Sequence, residues 1–127
     1  EREGQQAYET VSSGLSFFPI QIMENCPIHK NSGYGTSPDF PIKIGGGLRS
    51  GEQRTINYLD ALLGQHGELV GHFRDGTQEV NGVNLENYQL YFGNQKKTLY
   101  FDIYNYAALS VPLGMNCSVP LPQAISQ

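Results

Sequence analysis

The residues with the most chemistry to offer are two cysteines, Cys26 and Cys117, near opposite ends of a 127-residue chain. A metal thiolate site needs further Cys or His at short spacing, and neither cysteine has the full set. A nucleophile needs a base. Cys26-Pro27-Ile28-His29 offers one three residues on, but catalytic Cys and His characteristically meet from distant segments. The expected pairing is therefore Cys26 with Cys117 in a structural disulfide, and with it an oxidising compartment. Closing a loop of 91 residues would restrict the unfolded chain by about 4 to 5 kcal/mol.

Other residues offer weaker chemistry. The run Gly45-Gly46-Gly47-Leu48-Arg49-Ser50-Gly51 opens a helix, where free N–H groups hold anions. Its glycine spacing mimics a phosphate loop, but Glu52 and Gln53 stand where the lysine and hydroxyl residue belong. Gly46, Gly47 and Arg49 remain as a candidate site for a carboxylate or sulfate. His66 and His72 are six apart and His29 is remote, which fits no common zinc pattern, so neither metal nor cofactor is expected. His72 is placed on the exposed face of its strand, between Val70 and Arg74. Asp102 lies between Tyr100 and Tyr104 on the polar side of an apolar strand, and Tyr88, Tyr91, Tyr100, Tyr104 and Tyr106 form the densest aromatic cluster. Of these, Tyr91, Tyr100, Asp102 and Tyr104 are the expected partner-binding set, because outward tyrosines make good contact surface. Asn116-Cys117-Ser118 meets the glycosylation pattern, but a bridged, buried Cys117 would leave a glycan there badly placed.

Composition narrows the setting. Eight Lys and Arg against twelve Asp and Glu give a net charge of −4, which argues against nucleic-acid and anionic-lipid partners. No stretch approaches the roughly 20 apolar residues of a transmembrane segment. The opening Glu-Arg-Glu-Gly-Gln-Gln has no signal-peptide core, so export implies a leader already removed, or a lipoprotein tether upstream.

These side chains need a frame. The chain reads as a single domain over 1–127, with a polar lead at 1–13 and a first apolar run from Leu15 to Met23, broken by Pro19. A breaker-rich loop spans Asn25 to Pro41. Phe40, Ile42 and Ile44 alternate as a short strand. The main helix is expected at 51–63, capped by Ser50 with Gln53 as capping-box partner, carrying Ile56, Leu59, Leu62 and Leu63 and stopped by Gly64. Antiparallel hairpins are expected over 68–104, closed at Asp75-Gly76, Asn81-Gly82 and Gly93-Asn94. In the last strand Leu99, Phe101 and Ile103 oppose Tyr100, Asp102 and Tyr104, one face core and one wet. A proline-rich tail with a strand near Val111 to Cys117 completes an α+β fold. Its sheet is mostly antiparallel, of about five strands, with one helix packed on it.

Several of these segments also resemble a family. Gly33-Tyr34-Gly35, Pro41-Ile42-Lys43-Ile44-Gly45-Gly46, Arg54 with Tyr58-Leu59-Asp60-Ala61-Leu62-Leu63-Gly64, Gly67-Glu68, and Leu99-Tyr100-Phe101-Asp102-Ile103-Tyr104-Asn105-Tyr106 with Pro112-Leu113-Gly114 look like an uncharacterised small domain of bacteria and plants. Its members sometimes carry a sugar-acid (KDO-phosphate) aldolase name. The chain is far too short for an aldolase barrel of about 250 residues, so that name does not carry over; the resemblance implies an exported or envelope-associated bacterial domain, with no established activity to transfer. Family members often have adjacent cysteines where this chain has His72-Phe73-Arg74-Asp75, so no redox or metal role is carried over.

Two functions follow as expectations. The first is a periplasmic or extracellular, non-enzymatic domain that binds a protein, of the kind that acts as inhibitor or immunity protein against a toxic enzyme. The second is a small enzyme or ligand-binding domain with a cleft near Gly45 to Arg49, using His72, Asp102 and His66 as acid-base groups.

Overall fold

The structure, a computed structural model, describes residues 21–124. The expected lead at 1–13, and the apolar run as far as residue 20, lie outside those residues. The elements run β1 (Ile42–Lys43), α1 (Gly47–Ala61), β2 (Leu62–Gly64), β3 (Gly71–Val80), β4 (Val83–Phe92), β5 (Gln95–Asp102) and β6 (Met115–Cys117). The class is α+β, as expected. The principal sheet has four strands in the order β1-β5-β4-β3, with β1 parallel to β5 and the other pairs antiparallel, and β2 and β6 form a separate two-stranded sheet.

The helix lies on one face of the four-stranded sheet. Tyr58 meets Phe101 edge-on at 5.5 Å between ring centres, and Tyr88 meets the same ring at 5.6 Å. Around them Leu59, Ala61, Leu90, Phe92 and Leu99 are buried in one core. Along β4 the residues directed there are Glu86, Tyr88, Leu90 and Phe92, paired in register with Phe101, Leu99, Lys97 and Gln95 of β5. The opposite, outer face carries Asn87, Gln89 and Tyr91 of β4 with Tyr100, Thr98 and Lys96 of β5.

The helix differs at both ends from the sequence reading. It begins at Gly47 with Gly46 as its cap, in the left-handed region at φ 99° and with no side-chain cap bond. Only glycine adopts that conformation readily. Ser50 is thus inside the first turn, where its hydroxyl donates to the Gly46 carbonyl, and Gln53 donates to Asn57 rather than closing a capping box. At the other end Leu62 and Leu63 leave the helix to pair with Cys117 and Asn116. Their spacing fits a helical face equally well, but β6 supplies backbone partners that extended residues can use.

The largest departure is in β3. Asn81-Gly82 does close a hairpin, both residues having positive φ (53° and 82°), but Asp75-Gly76 does not turn the chain. It is a bulge within one long strand: Gly76 pairs with Asn87 and Arg74 with Tyr88, leaving Asp75 without a counterpart. A bulge shifts the alternation of every residue beyond it. Counting back from the turn without one, Phe73 would fall on the helix face and His72 and Arg74 on the outer face. With it, the three exchange faces, and this is why His72 is not on the exposed face expected for it. His72 instead approaches Asp60 of α1 at 3.3 Å.

Candidate functional site

The inserted Asp75 shapes two surfaces. On the helix side, a cleft of about 370 Å³ opens between the first half of α1 and the β3–β4 hairpin, lined by Gly47, Leu48, Glu52, Thr55, Arg74, Glu86, Tyr88 and Ile103. Arg74, turned inward by the bulge, donates from Nε to Glu86 Oε1 at 2.6 Å and from Nη2 to Thr77 Oγ1 at 2.7 Å. The bond and charge of Glu86 push its guanidinium further above the ordinary arginine value. Burial pushes the Tyr88 phenol up, and the field of Glu52 adds to that shift while Arg74 opposes it. Thr55 is buried beneath, its hydroxyl donating to the Gly51 carbonyl. Leu48, 89 % exposed, stands at the rim.

On the outer side the bulge brings out Phe73, which is 48 % exposed and stacks on Tyr91, itself 42 % exposed, at 5.8 Å with planes 20° apart. The Lys96 ammonium lies over the Tyr91 ring, 5.9 Å from its centre. Beside this pair Gln89 is held by two bonds, donating to Asp75 Oδ2 and accepting from Thr98 Oγ1. Hydrophobic alternation favours the reverse arrangement, Phe73 in and Arg74 out. The observed one forgoes about 1 kcal/mol of Phe73 burial.

The residues singled out by sequence are placed as follows. Cys26 and Cys117 are bridged, with Cα atoms 6.0 Å apart. The bridge ties the segment around Cys26 to β6, alongside Met23 N–H donating to the Cys117 carbonyl at 2.9 Å. At the glycine turn, Gly47 N–H donates to the Ile103 carbonyl at 2.6 Å and Gly45 N–H to the Asp102 carbonyl at 3.3 Å, so these donors close backbone contacts. Arg49 is exposed and lies outside the cleft lining. The three histidines are in different places: His29 is stacked on Tyr34 at 4.3 Å, His66 is in the turn bonded to Glu68, and His72 faces Asp60. Among the described residues no three His, Cys, Asp or Glu come together as a metal site.

Asp102 requires correction as a partner contact. It is 2 % exposed, and its carboxylate is engaged: Oδ1 accepts from the N–H of Tyr104 at 2.8 Å and of Asn105 at 3.2 Å, and Oδ2 from Asn105 Nδ2 at 2.8 Å. It closes the turn after β5. Charge-assisted bonds of this kind contribute about 1.5 to 3 kcal/mol. Asp102→Ala is therefore expected to lower the unfolding free energy by about 2 kcal/mol in urea denaturation, and a loss below 0.5 kcal/mol would refute that role. Tyr104 is exposed beyond the same turn, whereas Tyr91 and Tyr100 share the outer face, separated along the strands by the Gln89–Thr98 pair.

Sequence reasoning missed Phe73, Arg74, Glu52 and Glu86. The Thr77–Glu86 pairing was within reach from the Asn81-Gly82 turn alone, since a two-residue loop fixes the register. Arg74 and Phe73 were not, because the same counting without a bulge assigns each to the wrong face.

No protein-family model, curated protein or solved structure matches the chain. Among the described residues no helix is long and apolar enough to cross a membrane.

Proposed function

We propose that this is an exported, non-enzymatic domain of the periplasm or cell exterior that binds another protein through the outer face of its four-stranded sheet, in the manner of an inhibitor or immunity protein of a toxic enzyme. The observation that supports it is the bulge at Asp75, which brings an aromatic residue out of the core to stack on Tyr91 beside Lys96. Bulges re-aim side chains at functional surfaces, and a local rule broken against burial is the expected mark of one. Stacked Phe and Tyr side chains with a flanking cation form the kind of rigid contact that dominates protein interfaces. The Cys26–Cys117 bridge supports the oxidising compartment, and a lipoprotein tether upstream would suit the same setting.

The test compares the wild-type protein with a Phe73→Ala/Tyr91→Ala variant as bait in the envelope fraction of the native host. Both side chains are about half exposed, so the pair is expected to lower stability by about 2 kcal/mol while binding of a stoichiometric partner falls at least a hundredfold. Undiminished capture by the variant would overturn the outer face as the binding surface.

A second reading, a ligand-binding domain, is favoured by one observation: the cleft of about 370 Å³ borders the glycine turn at Gly47 and Leu48, and pockets of a few hundred Å³ suit small molecules.

A further inference from the structure

The cleft beside the start of α1 has a lining that is specific in its chemistry. The bulge turns Arg74 into it, and Glu86 and Thr77 take the Nε and one Nη2 proton of the guanidinium. Of arginine's five N–H donors, the three on the Nη1/Nη2 side have no partner among the described residues. That side is the planar fork that receives a carboxylate through two parallel bonds. Glu86 and Thr77 thus hold the guanidinium plane in place and leave its free end open.

The opposite charge is also present. Glu52, on α1, is exposed and has no ion pair among the described residues, while Glu86 is matched by Arg74. The fields of both carboxylates act on Tyr88, as does the opposing field of Arg74. Leu48 and Ile103 supply apolar walls, and Thr55 and the Tyr88 ring line the rest. A ligand bearing one charge would leave either the open N–H donors of Arg74 or the carboxylate of Glu52 without a partner.

We propose that this cleft binds a small zwitterion, a free α-amino acid or a molecule with the same head group, with its carboxylate on the free fork of Arg74 and its ammonium on Glu52. The apolar part of the ligand lies along Leu48 and Ile103. This rests on the ligand-binding reading of the cleft and is independent of the outer face.

The experiment is an NMR titration of the full chain with the standard amino acids, followed by charge-deleted analogues of the best one. For leucine these would be isoamylamine, which lacks the carboxylate, and 4-methylpentanoate, which lacks the ammonium. The expected result is a saturable shift of Glu52, Arg74 and Tyr88 amides by the amino acid, at least tenfold tighter than by either analogue. Glu52→Gln should bring the amino acid level with the carboxylate analogue. Arg74→Lys, which keeps the charge and loses the fork, should weaken it about tenfold with Glu52-side shifts retained. Phe73→Ala/Tyr91→Ala should leave it unchanged. An analogue of one charge binding at the cleft as tightly as the amino acid would overturn the zwitterion and preserve a ligand cleft. No saturable shift at these residues with any amino acid or analogue would overturn both.

Discussion

Reduction of the Cys26–Cys117 bridge, or its replacement by Cys26→Ala/Cys117→Ala, is expected to lower the unfolding free energy by about 4 kcal/mol. The magnitude follows from the 91-residue separation, since the cost of closing a loop is removed from the unfolded chain whatever the native contacts are. Native contacts across the bridge are independent of it. Met23 N–H donates to the Cys117 carbonyl, His29 N–H to the Val111 carbonyl, and Val111 N–H to the Pro27 carbonyl. The folded structure should therefore survive reduction with β6 in place, and the loss should appear in stability rather than in shape. Paired urea denaturation of oxidised and reduced protein measures it, with the double alanine variant controlling for the reductant. A difference under 1 kcal/mol would mean that the bridge adds little beyond those hydrogen bonds. An effect of the expected size is a large fraction of the net stability of an ordinary domain, so the margin of stability would depend on an environment that keeps the bridge oxidised. That dependence links the bridge to the proposed compartment.

The parts of the fold legible in the sequence were those in which local signals agree. The apolar spacing of Ile56 and Leu59, the positive-φ pair Asn81-Gly82, and the alternation of Leu99 and Phe101 each point one way, and each is found in its element. The errors lie where a tertiary partner decides between two locally acceptable states. Leu62 and Leu63 suit a helix until β6 offers a ladder. Ser50 suits a cap until Gly46, in the left-handed region, starts the helix a turn earlier. Asp75-Gly76 suits a turn as well as it suits a bulge, and only the pairing of Arg74 with Tyr88 distinguishes them. The last of these matters most for function, because both candidate surfaces depend on which face receives Phe73 and which receives Arg74. Asp102 shows the converse. Its alternation with apolar neighbours suggested a wet face, yet the turn formed by Tyr104 and Asn105 closes over it with three hydrogen bonds.

Tyr58→Ala is expected to lower stability by about 4 kcal/mol, as large aromatic truncations in a close-packed core do, and Tyr58→Phe by about 1 to 2 kcal/mol. Tyr58 is fully buried and reaches across the core, its hydroxyl donating to the Ser110 carbonyl at 2.6 Å. The Tyr34 hydroxyl accepts from the N–H of the same residue at 3.1 Å. Two tyrosines thus hold both backbone polar groups of one residue in the C-terminal tail, which packs the tail against α1 and the loop before β1. Burial raises both phenols above the ordinary tyrosine value, Tyr58 strongly so, with the charge of Tyr34 adding to the shift and the Ser110 N–H moderating that of Tyr34. A proton held more tightly in the folded state contributes stability that is complete below the unfolded value near 10 and is lost as pH rises from there through the raised folded value. Urea midpoints measured from pH 7 to 11 should therefore fall above about pH 10, and the fall should be shallower in Tyr58→Phe, which cannot ionise there. Lys97 works in the opposite sense, its ammonium value being lowered by burial, and because it is common to both proteins it cancels in their difference. Parallel profiles for wild type and Tyr58→Phe would show that Tyr58 does not couple folding to alkaline pH, and the anchoring of the tail at Ser110 would then rest on packing alone.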